Sequence, residues 1–284
     1  IFDKNDNIWL GTDNGLLRFN RTTGRFDSFN SETSKWLEKA SINSFQFDSF
    51  GTLWMGTEGS GLLKYEERAV FKSYSHNRDD SASLSAGWAN NIYEASDGKF
   101  WITTSSSAIS GGINVLDPAT GRISSYPYNI PGWHDVGGII ENAPGQLLIS
   151  TNVGNYQLFT ASGRLNKTSL NGVPNNTYQT FFYKDSKENV WLGSFDGLFK
   201  RAKGTGEFKR YDLSKVTGGN AGSNEITGAF ESTRHGLWLT TNNGLFLYNY
   251  ATDKIERHGY DKSIGDIFIT QDINSFYETA DGTA

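Results

Sequence analysis

The sequence predicts an all-β fold, a β-propeller of four-stranded blades, on three observations. One phrase recurs: NIWLGTDNGLLRF (7–19) returns as TLWMGTEGSGLLKY (52–65), NVWLGSFDGLFKR (189–201) and GLWLTTNNGLFLY (236–248). Weaker copies are KFWITTSSSAISGGINVL (99–116) and QLLISTNVGNYQLF (146–159). The anchor positions, Trp9, Trp54, Trp101, Leu148, Trp191 and Trp238, are spaced by 45, 47, 47, 43 and 47 residues. A period in the forties with several short strands per unit is a propeller signature. Composition agrees: Gly 32, 14% aromatic residues and 5 Pro suit many turns and short strands, and no long helical period appears.

Each unit can be read strand by strand. Its first strand is an apolar run ending in a polar turn, as in INSFQFDSFG, NNIYEASDG, GGIIENAPG, QTFFYKDSKEN, ITGAFESTRHG and INSFYETADG. The anchor strand follows. In the first copy Trp9 and Gly11 fall on one face, and Ile8, Leu10 and Thr12 on the other. Both faces thus carry buried-type residues, as expected of a sheet stacked between two like sheets. Asp13-Asn14-Gly15, Asp196-Gly197 and Asn243-Gly244 tolerate positive φ and mark tight hairpins to the Gly-Leu strand. A more polar strand closes the unit, as an outer edge requires: GRFDSF (24–29), VFKSY (70–74), GRISSY (121–126), EFKRY (207–211) and KIERH (254–258). The five tryptophan anchors are expected to pack between blades.

One repeat-built domain, 1–284, is expected, with units near 1–40, 41–87, 88–134, 135–177, 178–224 and 225–271. The strand at 273–280 either opens a seventh unit at 272–284 or completes the first, and a further step of 47 places the next anchor at 285. Ile1 begins inside a first strand, IFDKNDN, so the chain reads as a fragment of a longer array. The fourth unit breaks the rule: it lacks the tryptophan and replaces Gly-Leu by Gly154-Asn155-Tyr156. It also follows an aromatic connection, YPYNIPGWHD (126–135).

The net charge of -5 gives no basic footprint for nucleic acid. With no Cys there is no disulfide, thiolate metal site or cysteine nucleophile. No apolar run approaches the roughly 20 residues of a membrane span. The four histidines, His76, His134, His235 and His258, hold unrelated repeat positions and form no HExxH, so no metal site is expected. No GxSxG elbow or phosphate-binding P-loop occurs, and no cofactor is implied. Asp48, Asp97, Asp185 and Asp281 lie in or near turns before anchors, where Asp is favoured for its backbone hydrogen bonds. Glycosidase chemistry needs two carboxylates facing one cleft, and sequence alone singles out no such pair.

The phrase (I/L)W(L/M)GT-x-x-GL, together with FKSYSHNRDDSASLS and LDPATGRISSY, resembles the two-component regulator propeller repeat over essentially the whole chain. The resemblance implies the periplasmic or extracellular sensor region of a bacterial signalling protein. It implies seven-bladed rings, often two in tandem, then a β-sandwich, a membrane span and a histidine kinase, hybrid kinase or diguanylate cyclase output. In some relatives the ligand is an oligosaccharide. The expected partners are therefore an oligosaccharide or other small ligand, the remaining sensor domains of the same protein, and a second protomer.

Register locates the expected ligand site. The position 13 residues before each anchor arrives at one rim of the axis, giving Ser41, Trp88, Asp135, Tyr178, Glu225 and Asp272. Trp133 and His134 lie beside Asp135, and Trp36 precedes Ser41. Aromatic faces beside acidic groups suit a sugar, whose C–H surface stacks and whose hydroxyls donate. The expected function is a non-catalytic sensor. A secreted polysaccharide-acting propeller enzyme and a protein-interaction scaffold are the alternatives.

Overall fold

The computed structural model describes residues 1–258 apart from 2, 4–6, 14, 30–36, 38–39, 67–69, 106–111, 127–135, 176, 214–224, 233–235 and 243. The expected strand at 273–280, and with it Asp272 and Asp281, lies outside the described residues. So do Trp36, Trp133, His134, Asp135 and His235.

Every sheet is an antiparallel meander in chain order. The first has three described strands, β1 (Ile8–Thr12), β2 (Gly15–Asn20) and β3 (Arg25–Phe29). The second comprises β4 (Ser41–Phe47), β5 (Leu53–Glu58), β6 (Gly61–Glu66) and β7 (Val70–Tyr74). The third comprises β8 (Trp88–Glu94), β9 (Phe100–Ser105), β10 (Gly112–Asp117) and β11 (Arg122–Tyr126). The irregular fourth comprises β12 (Val136–Ala143), β13 (Gln146–Thr151), β14 (Gly154–Phe159) and β15 (Arg164–Thr168). In the fifth are β16 (Gln179–Lys184), β17 (Val190–Ser194), β18 (Gly197–Arg201) and β19 (Lys209–Tyr211). The sixth holds β20 (Ile226–Glu231), β21 (Leu237–Thr241), β22 (Gly244–Asn249) and β23 (Lys254–His258).

The fold is thus an all-β propeller built from six blades. A seventh would fall outside the described residues. At the other end, Ile1 is not assigned to a strand, yet it exchanges both backbone hydrogen bonds with Trp9, at 2.8 and 3.0 Å. The chain forms two compact units, Ile1–Leu147 with Leu158–Arg164, and Leu148–Gln157 with Leu165–Ala284.

The anchor strands are the buried ones: every residue of β9, β17 and β21 is buried. β1 is the most open of them, with Leu10 37% exposed. The anchors Trp9, Trp54, Trp101, Leu148, Trp191 and Trp238 are all buried. Trp54 packs against Phe100 of the third blade at 4.9 Å, and Trp191 against Tyr248 of the sixth at 4.7 Å. Blades approach closely where glycine follows the anchor. A Cβ on Gly56 would lie 2.6 Å from the Ala89 carbonyl oxygen of the next blade, so only glycine fits.

Carboxylates fasten this framework. Trp9, Trp54 and Trp191 each donate their indole N–H to an aspartate six residues upstream: Asp3 at 3.0 Å, Asp48 at 2.9 Å and Asp185 at 2.8 Å. The other oxygen of Asp48 accepts the backbone N–H groups of Phe50 and Thr52, and that of Asp185 those of Lys187 and Asn189. Asp97 accepts the Lys99 N–H. These are the expected turn roles, with an indole added. In the third blade Ala95 holds the aspartate's place, and the Trp101 indole N–H has no partner among the described residues.

A second device links blade to blade. Ser49 N–H donates to Glu94 at 3.3 Å. Ser96 donates from N–H and Oγ to Glu141, and Ser186 does the same to Glu231. Each pair is separated by 45 residues, two fewer than the 47 between the anchors of the blades it joins.

Candidate functional site

In an antiparallel four-stranded meander the first strand starts beside the hairpin that joins the second and third. The positions 13 residues before the anchors therefore share one blade edge with the hairpin tips. Ser41 opens β4 and donates to Asp13, at the first blade's tip, at 3.1 Å. Trp88 opens β8, half-buried, opposite Ser105. The Glu225 carbonyl accepts the Asn242 N–H at 3.3 Å. The Tyr178 carbonyl accepts the Phe195 N–H at 3.1 Å, and the two rings lie 4.8 Å apart at 31°. These rings are 36% and 45% exposed, a solvent-facing aromatic pair on a blade edge. The tip beneath them is rigidly tied: Thr177 Oγ1 donates to Asp196 at 2.9 Å, and the Arg210 guanidinium to the Asp196 carbonyl. Trp88 belongs to the first compact unit, and Tyr178 and Glu225 to the second. In each, the residue holds the same repeat position.

A second feature, not foreseen from the sequence, is a groove of about 590 Å³ along the outer strands of the fifth and sixth blades. Lys200, Phe208, Lys209, Tyr211, Tyr248, Tyr250 and Asp253 line it. Asp253 sits at φ 54 in the turn between β22 and β23 and accepts from Tyr211 at 2.5 Å, Tyr248 at 2.7 Å and Lys209. Lys200 donates to the Tyr248 hydroxyl at 2.6 Å, while the Tyr250 hydroxyl lies 3.1 Å from both Asp185 and Glu231, either of which accepts its one proton.

Burial, then hydrogen bonding to Asp253, pushes the Tyr211 and Tyr248 hydroxyls well above the ordinary tyrosine range. Burial, then the charges of Asp185 and Glu231, does the same for Tyr250. Burial works to raise the Asp253 carboxyl. It is outweighed by the hydrogen bonds from Lys209, Tyr211 and Tyr248, which hold the group well below the carboxylate range. Desolvation lowers the Lys200 ammonium. The groups of this network are satisfied by one another, so the groove reads as a polar fastening between blades.

A third feature has the opposite character. Ser150, Asn155 and Gln179 are buried, at 0%, 4% and 5% exposure. Ser150 Oγ, Asn155 Oδ1 and Gln179 Oε1 have no hydrogen-bond partner among the described residues. The signal was present in the sequence as Asn155 in place of the repeat's leucine. Gln179 likewise stands where Ile42, Ala89, Val136 and Ile226 stand in other units. Among the described residues no group of three His, Cys, Asp or Glu could hold a metal ion, and no helix is long and apolar enough to cross a membrane.

No protein-family model matches the sequence, and no curated protein matches it. Solved structures similar to the chain include an extracellular domain attributed to a hybrid two-component system of B. thetaiotaomicron. It covers 98% of this chain and 36% of its own, with a TM-score of 0.75 and 22% identity. PorZ, a surface component of the type-IX secretion system of Porphyromonas gingivalis, covers 88% of this chain and 36% of its own, at 0.61 and 16%. A protein described as a gluconolactonase covers 80% of this chain and 77% of its own, at 0.55 and 14%. The chain therefore spans about a third of the length of the first two. These likenesses show the fold, and the first is in keeping with the two-component regulator propeller resemblance of the repeat.

Proposed function

We propose that this chain is the propeller part of an extracytoplasmic sensor in a bacterial signal-transduction protein, non-catalytic in itself. One observation carries the reading. The whole chain shares its fold with an extracellular domain attributed to a hybrid two-component system, while carrying the sensor-type repeat in every blade but the fourth. The ligand is a carbohydrate or similar small molecule, bound at the repeat position that Tyr178 and Glu225 hold in one compact unit and Trp88 in the other; Trp133, His134, Asp135 and Asp272, the further residues expected from the sequence, lie outside the described residues. The exposed Tyr178–Phe195 pair supports this choice, because an aromatic face stacks on sugar C–H surface. Ligand bound there biases how the propeller packs against its neighbouring domains or a second protomer, and so the output across the membrane.

The non-catalytic reading is supported by what the buried carboxylates do. Asp48 and Asp185 hold indoles and turns, and Glu141 holds a serine of the blade before it. A glycosidase pair would need two such groups free toward one cleft. A polysaccharide-acting enzyme is the second reading; the fold is shared with a protein described as a gluconolactonase, itself an enzyme of sugar chemistry.

The test is calorimetry of the full ectodomain against an oligosaccharide panel, with single Ala substitutions at Trp88, Asp135 and Tyr178. The expected result is loss of binding with a nearly unchanged melting temperature. Normal binding by all three variants removes the ligand from this edge. Release of reducing ends during the titration favours the enzyme.

A further inference from the structure

We propose that the seam between the fourth and fifth blades contains a hydroxyl-binding subsite, built by Ser150, Asn155 and Gln179, for a neutral sugar lying against Tyr178 and Phe195. The inference deepens the sensor reading and rests on it.

Placement follows from the repeat. In three other seams, the apolar residue after the glycine that opens a blade's third strand shares one core cluster with the residue 12 positions before the next anchor. These pairs are Leu16 with Ile42, Leu62 with Ala89, and Leu198 with Ile226. At the seam between the fourth and fifth blades the same two positions are Asn155 and Gln179. Ser150 completes the set. In the first, fifth and sixth blades the residue two after the anchor pairs across the hairpin with that leucine: Gly11 with Leu16, Gly193 with Leu198, Thr240 with Leu245. The fourth hairpin has the same two-residue turn. It also has the same hydroxyl-to-glycine bond, Thr151 Oγ1 to the Gly154 carbonyl at 2.8 Å, as Ser194 to Gly197 in the fifth. Ser150 therefore stands opposite Asn155. All three residues belong to one compact unit.

Chemistry follows from the atoms left over. Two amide oxygens and one hydroxyl are withdrawn from water with no partner among the described residues, where the other seams place apolar side chains. Buried acceptors are retained in folded proteins when something donates to them. An anionic group would set lone pairs against lone pairs. An ammonium would be desolvated with no carboxylate among the three. A neutral hydroxyl donates its one proton to one amide oxygen and accepts from Ser150, and a neighbouring hydroxyl of the same ring donates to the other amide. Gln179 follows Tyr178 in the chain, so the subsite and the exposed aromatic pair share the start of the fifth blade. An aromatic face with hydroxyl acceptors beside it is the complement of a neutral sugar ring.

The test replaces the polar residues by those the repeat itself uses elsewhere: Asn155→Leu, Gln179→Ile and Ser150→Gly. Binding of neutral cello-, manno-, xylo- and arabino-oligosaccharides, and of oligogalacturonides as the charged counterpart, is measured calorimetrically on the full ectodomain. The expected result is that a neutral oligosaccharide binds, that N155L and Q179I weaken it at least tenfold, and that their melting temperatures are equal or higher. Unchanged affinity in both variants overturns the proposal. So does preference for oligogalacturonides, or a panel in which no neutral sugar binds. If Tyr178→Ala abolishes binding while N155L and Q179I do not, the edge reading stands and the subsite falls. If either variant fails to fold, Ser150→Gly decides by the same criterion.

Discussion

The two seams that flank the fifth blade carry polar groups of opposite standing. Toward the sixth blade, Lys200, Lys209, Tyr211, Tyr248 and Asp253 form a network in which the carboxylate has three donors and each hydroxyl a partner. Toward the fourth, three buried oxygens have none among the described residues. Polar atoms at a blade contact are therefore not intrinsically costly; an unanswered lone pair is. The first seam explains how the array holds together, and the second is where a ligand has something to gain.

The comparison breaks most visibly at the anchor serving the satisfied seam. Trp191→Ala removes a fully buried ring that contacts Tyr248 and donates to Asp185, and is expected to cost roughly 3–5 kcal/mol by urea denaturation. A loss below about 1 kcal/mol would mean that the seam does not depend on its anchor.

On the unsatisfied side the sign reverses. Asn155→Leu combined with Gln179→Ile deletes two unanswered acceptors and restores the repeat's apolar pair. It is expected to stabilise by about 2 kcal/mol. Destabilisation would show that both amides are answered in the folded protein.

The pH dependence separates the seams further. Because the folded Asp253 carboxyl lies below its ordinary value, its contribution is fully present above about pH 4. It is lost as pH falls below that range. Asp253 is 45% exposed at its side chain, so solvent screening limits the effect to about 1 kcal/mol. Asp253→Asn should lose that amount at pH 7 and flatten the acid limb, whereas the gain from the Asn155 and Gln179 replacements should not change between pH 3 and pH 7. The smallest effect is expected in the third blade. There, Ala95→Asp supplies the acceptor that Trp101 lacks and should add up to about 1 kcal/mol, read as a raised denaturation midpoint.

Much of the framework was legible because propeller blades repeat. The anchor spacing marked the six described blades, and the Asp-Gly and Asn-Gly steps marked the hairpins. The fourth strand of the fourth blade, Arg164–Thr168, was missed, since RLNKT lacks the aromatic ending of its equivalents. The links between serine and glutamate were missed for another reason. Their partners lie 45 residues apart in neighbouring blades, and no local pattern pairs residues that only stacking of sheets brings together. The groove was invisible for the same reason, because Lys200 and Asp253 come from different blades. Asn155 was noticed as an irregularity. Its meaning required Gln179, which looks ordinary until set beside Ile42, Ala89 and Ile226.

The 45-residue links also bear on how such arrays lengthen and shorten. A linked blade carries a donor toward one neighbour and an acceptor toward the other, as Ser96 and Glu94 do in the third. Excising one whole period between Ser49 and Ser96 would therefore bring Ser49 opposite Glu141, a glutamate already suited to a serine. Inserting a copy would create a new link without orphaning an old one. The joints are interchangeable parts, so gain or loss of a blade is a change the chemistry between blades tolerates, whereas a cut within a period would leave a buried glutamate unmatched.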